Sequence, residues 1–156
     1  MAKITNVDKI FTEAEKEILN KYDNDMASLL KQCQGKIIGG VHWSAKMVKD
    51  AHYTVTAYNI YQKAADKLED EKIAMTKKLN NKIKQYEKAT TNNAAQKYLK
   101  EYKEMLQELN QVKEDYNYYE TERVKLLNKA LEYDKKIMDA KAFLKKQEKA
   151  KDPKKK

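Results

Sequence analysis

Residues 98–144 read YLKEYKEMLQELNQVKEDYNYYETERVKLLNKALEYDKKIMDAKAFL. In alternating steps of four and three from Tyr98, every side chain except Arg123 is apolar or aromatic. This spacing repeats every 3.5 residues and forms one narrow stripe along an α-helix. The core seam predicted from this stripe consists of Tyr98, Tyr102, Met105, Leu109, Val112, Tyr116, Tyr119, Leu126, Tyr133, Ile137 and Leu144.

Such a seam requires a second helix to cover it, because a single helix cannot hide an apolar stripe from water. The preceding segment supplies that helix over residues 45–89, with its own apolar stripe. Residues 90–93, Thr-Thr-Asn-Asn, are poor helix formers, and Asn93 with Gln96 makes a capping-box pattern. The sequence therefore predicts a tight turn at residues 90–93, an antiparallel helical hairpin, and a third long helix over residues 94–150.

A shorter amphipathic helix is predicted over residues 6–34, starting at a capping box and ending near Gly35. Residues 35–42 contain every glycine of the chain and are predicted to form a loop, after which Ser44 caps the next helix. The last helix carries four apolar residues beside its seam, and the first helix is predicted to cover them: Leu127, Leu131, Met138 and Phe143.

The predicted fold is therefore all-α: an elongated antiparallel helical hairpin (coiled coil) with a third, N-terminal helix packed at its base as a three-helix bundle. Three glycines and one proline in 156 residues favour long helices over a β fold. We expect one elongated helical domain over residues 1–144, followed by a basic lysine-rich tail over residues 145–156.

The tail contains seven lysines and two acidic residues, Glu148 and Asp152. Its net charge is therefore 7 − 2 = +5, which is more than half of the formal net charge of +9 for the whole chain. Two interpretations stay open for it: a solvated helix end, or a weak contact with an anionic surface such as a membrane or nucleic acid. The candidate contact residues are Lys145, Lys146, Lys149, Lys151, Lys154, Lys155 and Lys156.

Catalytic and metal-binding patterns are nearly absent from the sequence. His42, His52 and Cys33 lack zinc-ligand spacing, and a single cysteine forms no intrachain disulfide. No histidine follows residue 52 to complete a hydrolytic triad with either serine, and the glycines lack the phosphate-loop pattern. We therefore expect no enzyme, no cofactor, no metal and no small-molecule substrate.

Two further sites are hypotheses at this stage. Arg123 interrupts the seam and would lie near Glu17 or Glu13 of the first helix, so we expect a buried or half-buried ion pair that fixes helix register. An arginine that extends its head to the surface is the alternative. The glycine loop, with Gly39, Gly40 and Trp43, is the second candidate contact with a partner.

Trp43-Ser44-Ala45, between two amphipathic helices, resembles a degenerate form of the Trp-X-Gly turn of small type VII secretion substrates. The resemblance covers residues 7–89, and Ala45 replaces the glycine of the motif. It implies a helical hairpin exported with a partner through a Tyr-x-x-x-Asp/Glu signal, a spacing that Tyr118 and Glu122 fit.

The functional prediction is a non-enzymatic structural or adaptor protein that mediates protein–protein interactions within a larger assembly. Its partners are proteins, and a homo-oligomer through the seam stays open. The sequence shows no signal segment and no apolar run long enough to span a membrane, so we expect a cytoplasmic protein. Export without a cleaved signal is the alternative.

Overall fold

The computed structural model of this chain describes residues 10–151, except for the side chains of residues 149–151. Three α-helices dominate it, with one small two-stranded sheet between the first and second helices. The elements are α1 (Glu13–Cys33), β1 (Lys36–Ile38), β2 (Val41–Trp43), α2 (Ala45–Lys88) and α3 (Asn92–Lys151). The predicted all-α class with long, mutually packed helices is confirmed.

Helix α1 begins later than predicted. A capping box forms at Thr12, whose backbone N–H donates to Glu15 Oε1 at 3.1 Å while Glu15 N–H donates to Thr12 Oγ1 at 3.2 Å. Residues 10–12 are not helical, so the prediction of one helix over residues 6–34 is wrong at its start. Residues 6–9 lie outside the described part. The helix ends as expected, because Gly35 adopts the left-handed conformation with φ of 78°.

The predicted glycine loop is instead a β-hairpin, which corrects the sequence interpretation. Strands β1 and β2 pair antiparallel, with Ile37 opposite His42 and Ile38 opposite Val41. Gly39 and Gly40 connect them with φ of 57° and 83°, and a tight two-residue hairpin turn requires such positive values. Glycine pairs between β-branched residues are a known hairpin signal, so the sequence carried this information.

Helices α2 and α3 lie close to their predicted bounds of 45–89 and 94–150. The interruption lies at residues 89–91, and Thr91 rather than Asn93 caps α3, because its Oγ1 accepts the N–H of Ala94 at 3.2 Å. The chain then reverses direction, since Lys82 of α2 pairs with Glu101 of α3. The single domain expected over residues 1–144 stays a prediction.

The contacts divide the chain into two compact units. The first unit comprises Met1–Ile60 and Glu122–Lys156. Its core takes residues from every element, so α1 packs in this unit against α2 and α3 as predicted. The buried core residues are Met26, Leu30, Cys33, Ile38, Trp43, Ala51, Val55, Ile137 and Ala140.

The second unit, Tyr61–Thr121, contains only the paired portions of α2 and α3. Its core lies between these two helices and consists of Tyr61, Ala64, Ala65, Leu68, Leu79, Leu109, Val112 and Tyr119. The rings of Tyr61 and Tyr119 lie 6.0 Å apart. Lysines cover the half-buried tyrosines, with Lys72 Nζ 4.8 Å from the Tyr116 ring and Lys82 Nζ 5.5 Å from the Tyr98 ring.

Candidate interaction surface

The predicted seam lies inside the helix pairing of each unit. None of its eleven residues is exposed. Leu109, Val112, Tyr119 and Ile137 are buried, and the other seven are half-buried: Tyr98, Tyr102, Met105, Tyr116, Leu126, Tyr133 and Leu144. The chain's own helices therefore cover this stripe, completely at four residues and partly at the other seven.

The hypothesised ion pair between Arg123 and Glu17 does not form within residues 10–151. Glu17 is exposed, while Arg123 is half-buried and donates from Nη1 to the Tyr58 hydroxyl at 3.4 Å. Glu17 precedes the buried Met26 by nine residues, which is about two and a half helical turns. Its side chain therefore lies on the side of α1 opposite the core, which explains why the hypothesis is wrong.

Only part of the predicted loop contact is accessible. Gly39 and Gly40 are exposed at the turn of the β-hairpin, where Ile37 is also exposed. Trp43 has no exposed surface and packs in the core, so its assignment as a contact residue is wrong. Trp43 lies in β2, and Ser44 then caps α2 by accepting the N–H of Met47 at 3.1 Å. Thus Trp43-Ser44-Ala45 joins a strand to a helix and is not a turn between two helices.

The predicted basic tail is partly helical. Lys145 and Lys146 are exposed on α3, which continues to Lys151. The side chains of Lys149 and Lys151, and all of Lys154, Lys155 and Lys156, lie outside the described residues. Their proposed contact with an anionic surface stays a prediction.

A second apolar stripe on α3 was missed as a candidate site. Val124, Leu131 and Met138 are 53%, 55% and 63% exposed, and they follow one another at intervals of seven residues. Leu131 and Met138 were predicted to lie beneath the first helix, and the structure contradicts this. In this outer stripe, Val124 and Leu131 each precede a seam residue by two positions, and Met138 precedes the buried Ala140 by two. The outer stripe therefore lies about 160° away from the buried side of the helix. The seven-residue spacing was the signal that could have identified it.

A hydrogen-bonded network joins α2 and α3 in the first unit. The Tyr133 hydroxyl donates to Asp50 Oδ2, and Lys129 Nζ lies 2.9 Å from the same oxygen. The hydrogen bond from Tyr133, followed by that from Lys129, lowers the pKa of the Asp50 carboxyl below its ordinary value. Burial, followed by the hydrogen bond to Asp50, raises the pKa of the Tyr133 phenol to about 12. The phenol therefore stays a donor and Asp50 stays an anion at neutral pH.

A second polar cluster joins α1 to α2. Asp23 Oδ1 lies 2.7 Å from His52 Nε2 and accepts a hydrogen bond from Thr56 Oγ1 at 2.8 Å. All three side chains are part-buried, so one carboxylate oxygen from α1 holds two groups that lie one turn apart on α2. This cluster connects α1 to α2 through a single carboxylate oxygen.

The Tyr133 hydrogen bond makes a testable prediction about alkaline pH. Folding raises the pKa of the Tyr133 phenol from about 10 to about 12. The protonated phenol therefore contributes to the free energy of unfolding fully below pH 10, and this contribution is lost as the pH rises toward 12. Tyr133→Phe should remove one late-titrating phenol from the near-ultraviolet phenolate absorbance curve. Asp50→Asn should move that titration part of the way back toward 10, because burial remains. An unchanged curve in Tyr133→Phe would contradict this assignment.

Residues 10–151 contain no group of three histidine, cysteine, aspartate or glutamate side chains placed to hold a metal ion. Burial raises the pKa of the Cys33 thiol, against a smaller opposite effect of Lys36, so the structure does not favour the reactive thiolate. Among the described helices, none combines the length and the apolar character needed to cross a membrane.

Comparison of this chain with known protein families, with curated proteins and with solved structures found no match.

Proposed function

We propose that this protein is a non-enzymatic helical adaptor that holds protein partners within a larger assembly. The observation that carries the proposal is the outer stripe of α3, formed by Val124, Leu131 and Met138. More than half of each of these side chains is exposed. Exposed apolar residues that follow one another along one helix face mark a surface for a partner.

The geometry of the outer stripe supports a helical partner. A seven-residue interval is the repeat with which one helix packs along another in a coiled coil. Leu127 lies half-buried beside the stripe and widens its apolar surface. On the opposite side of α3 the seam is already covered, so one face stabilises the fold while the other is available for association.

Protein partners in the cytoplasm are part of this proposal, and a second copy of the chain is one candidate among them. The polar clusters of the first unit support an adaptor role over catalysis. Tyr133 and Lys129 both bond to Asp50, and His52 and Thr56 both bond to Asp23. Side chains that form such hydrogen bonds between helices stabilise helix packing.

The experiment is native capture of the tagged full chain from cells that express it, with the double variant Leu131→Glu/Met138→Glu as the test. We expect the wild-type chain to recover a defined complex. The variant should recover at least about tenfold less of that complex, because carboxylates replace apolar contacts at the interface. Light scattering on the purified chain would show whether the partner is a second copy.

The matched control is Ile73→Glu/Ile83→Glu, which makes the same chemical change at two exposed isoleucines of α2. The control variant should recover the complex like the wild-type chain, and circular dichroism should show equal helix content in all three proteins. Equal recovery by Leu131→Glu/Met138→Glu would refute the assignment of the outer stripe.

A further inference from the structure

An open groove lies in the first unit between the start of α2 and the facing part of α3. Its apolar lining comes from Met47, Tyr53 and Tyr133. Met47 and Tyr133 are half-buried, while 47% of the Tyr53 side chain is exposed. The groove therefore presents an apolar surface with an accessible aromatic ring, large enough to contact a side chain of another molecule.

Three lysines line the same groove: Lys46 and Lys49 from α2, and Lys129 from α3. All three are exposed, whereas Met47 and Tyr133 of the lining are half-buried. Lysines that frame an apolar surface are suited to an anionic ligand with an apolar body.

Asp50 is the one acidic residue of the lining, and its charge is already compensated. Its carboxylate accepts hydrogen bonds from the Tyr133 hydroxyl and from Lys129 Nζ, the latter at 3.1 Å to Oδ1. Three lysines against one aspartate leave a net charge of +2 on the lining, and Lys46 and Lys49 are both exposed. An approaching carboxylate thus meets attraction from these two lysines, and Asp50 is turned toward its own partners.

We infer that this groove binds an acidic peptide segment of a protein partner, in which an aromatic or aliphatic side chain is flanked by glutamate or aspartate. The apolar side chain would pack against Met47 and Tyr53, and its acidic neighbours would pair with Lys46 and Lys49. Lys129 and Tyr133 lie on the side of α3 opposite the outer stripe. The inference therefore concerns a separate surface and does not depend on the proposed function.

Single-stranded nucleic acid also pairs with lysines and stacks on aromatic rings, but it fits this groove less well. Such binding uses successive stacking platforms along a basic channel. The lining has two tyrosine rings, and only Tyr53 belongs to an exposed residue while Tyr133 is half-buried. Lysine also lacks the bidentate geometry with which arginine grips phosphate.

The test uses the full chain and a fluorescein-labelled peptide, Glu-Glu-Phe-Leu-Glu-Glu. We expect saturable binding at low salt, together with changes in the NMR signals of the Met47 methyl group and the Tyr53 ring. The charge-reversing variant Lys46→Glu/Lys49→Glu should weaken the affinity about tenfold or more, because repulsion replaces two attractive contacts. The matched control Lys77→Glu/Lys78→Glu makes the same change at exposed lysines of α2 that do not line the groove, and it should bind like the wild-type chain.

Four results would overturn the inference. The first is the absence of NMR changes at Met47 and Tyr53, and the second is an equal loss of affinity in the control variant. The third is equal affinity for a peptide in which serines replace Phe-Leu, which would show that charge alone is recognised. The last is displacement of the peptide by a single-stranded oligonucleotide that binds more tightly at the same salt concentration.

Discussion

Replacement of Trp43 by alanine is expected to unfold the first unit or to leave it barely stable. Trp43 has no exposed surface and lies in the core among residues of α1, α2 and α3. Removal of a large buried aromatic side chain costs roughly 3–5 kcal/mol in free energy of unfolding, because its contacts are lost and a cavity remains. A small domain is stable by only about 5–15 kcal/mol, so this loss is a large fraction of the total. Urea denaturation followed by circular dichroism would measure it.

Two control variants separate packing from other effects of this substitution. His42→Ala changes an exposed residue in the same strand and should cost under about 1 kcal/mol. Trp43→Phe keeps an aromatic ring, and Trp43 Nε1 has no hydrogen-bond partner within the described residues, so no such bond is lost. Its cost should lie well below that of the alanine variant. If His42→Ala destabilised the protein as much as Trp43→Ala, burial in the core would not explain the effect.

The second large effect is expected at Leu109, in the seam of the second unit. This unit has only two helices to share its core, and Leu109 is 4% exposed. Leu109→Ala should lower the free energy of unfolding by roughly 2–5 kcal/mol, since a two-helix seam has few other contacts to compensate. Hydrogen exchange should show the loss of protection at amides within residues 61–121.

Leu99→Ala provides the matched control for this prediction. It is the same substitution on the same helix, at a leucine that is 37% exposed. Because its side chain leaves little cavity, we expect a cost of about 1 kcal/mol or less. Alanine forms helix at least as well as leucine, so helix propensity does not oppose either substitution. Equal destabilisation by the two variants would show that burial in the seam does not determine the effect.

The long-range features of the fold followed from periodicity alone. The alternating steps of four and three identified the side chains that face a neighbouring helix, and every seam residue is at least half-buried. The run of Thr-Thr-Asn-Asn identified the interruption between the two long helices to within about two residues. Periodic patterns of this length are informative because each turn of helix repeats the same evidence.

Local choices among competing signals were harder to predict. The expected start near residue 6 did not identify Thr12, whose capping box begins the described helix. The Gly39-Gly40 pair signalled a hairpin, but strands of three residues carry too little alternation to be recognised.

The outer stripe and the charged groove depend on tertiary packing. Periodicity shows that a helix has two apolar faces, but not which neighbour covers each face. Leu131 was therefore predicted to be buried although more than half of it is exposed. Likewise, only the cross-helix bonds of Asp50 show that its charge is compensated within the fold.

The chain has one tryptophan, Trp43, and its indole ring is fully buried in the first unit. The fluorescence emission of Trp43 therefore reports when the core of the first unit becomes exposed to water. The ellipticity, in contrast, reports the helix content of both units together. Heating the unmodified protein while recording both signals thus separates the two units without any label. The gap between the two midpoints is a direct measure of how tightly their melting is coupled.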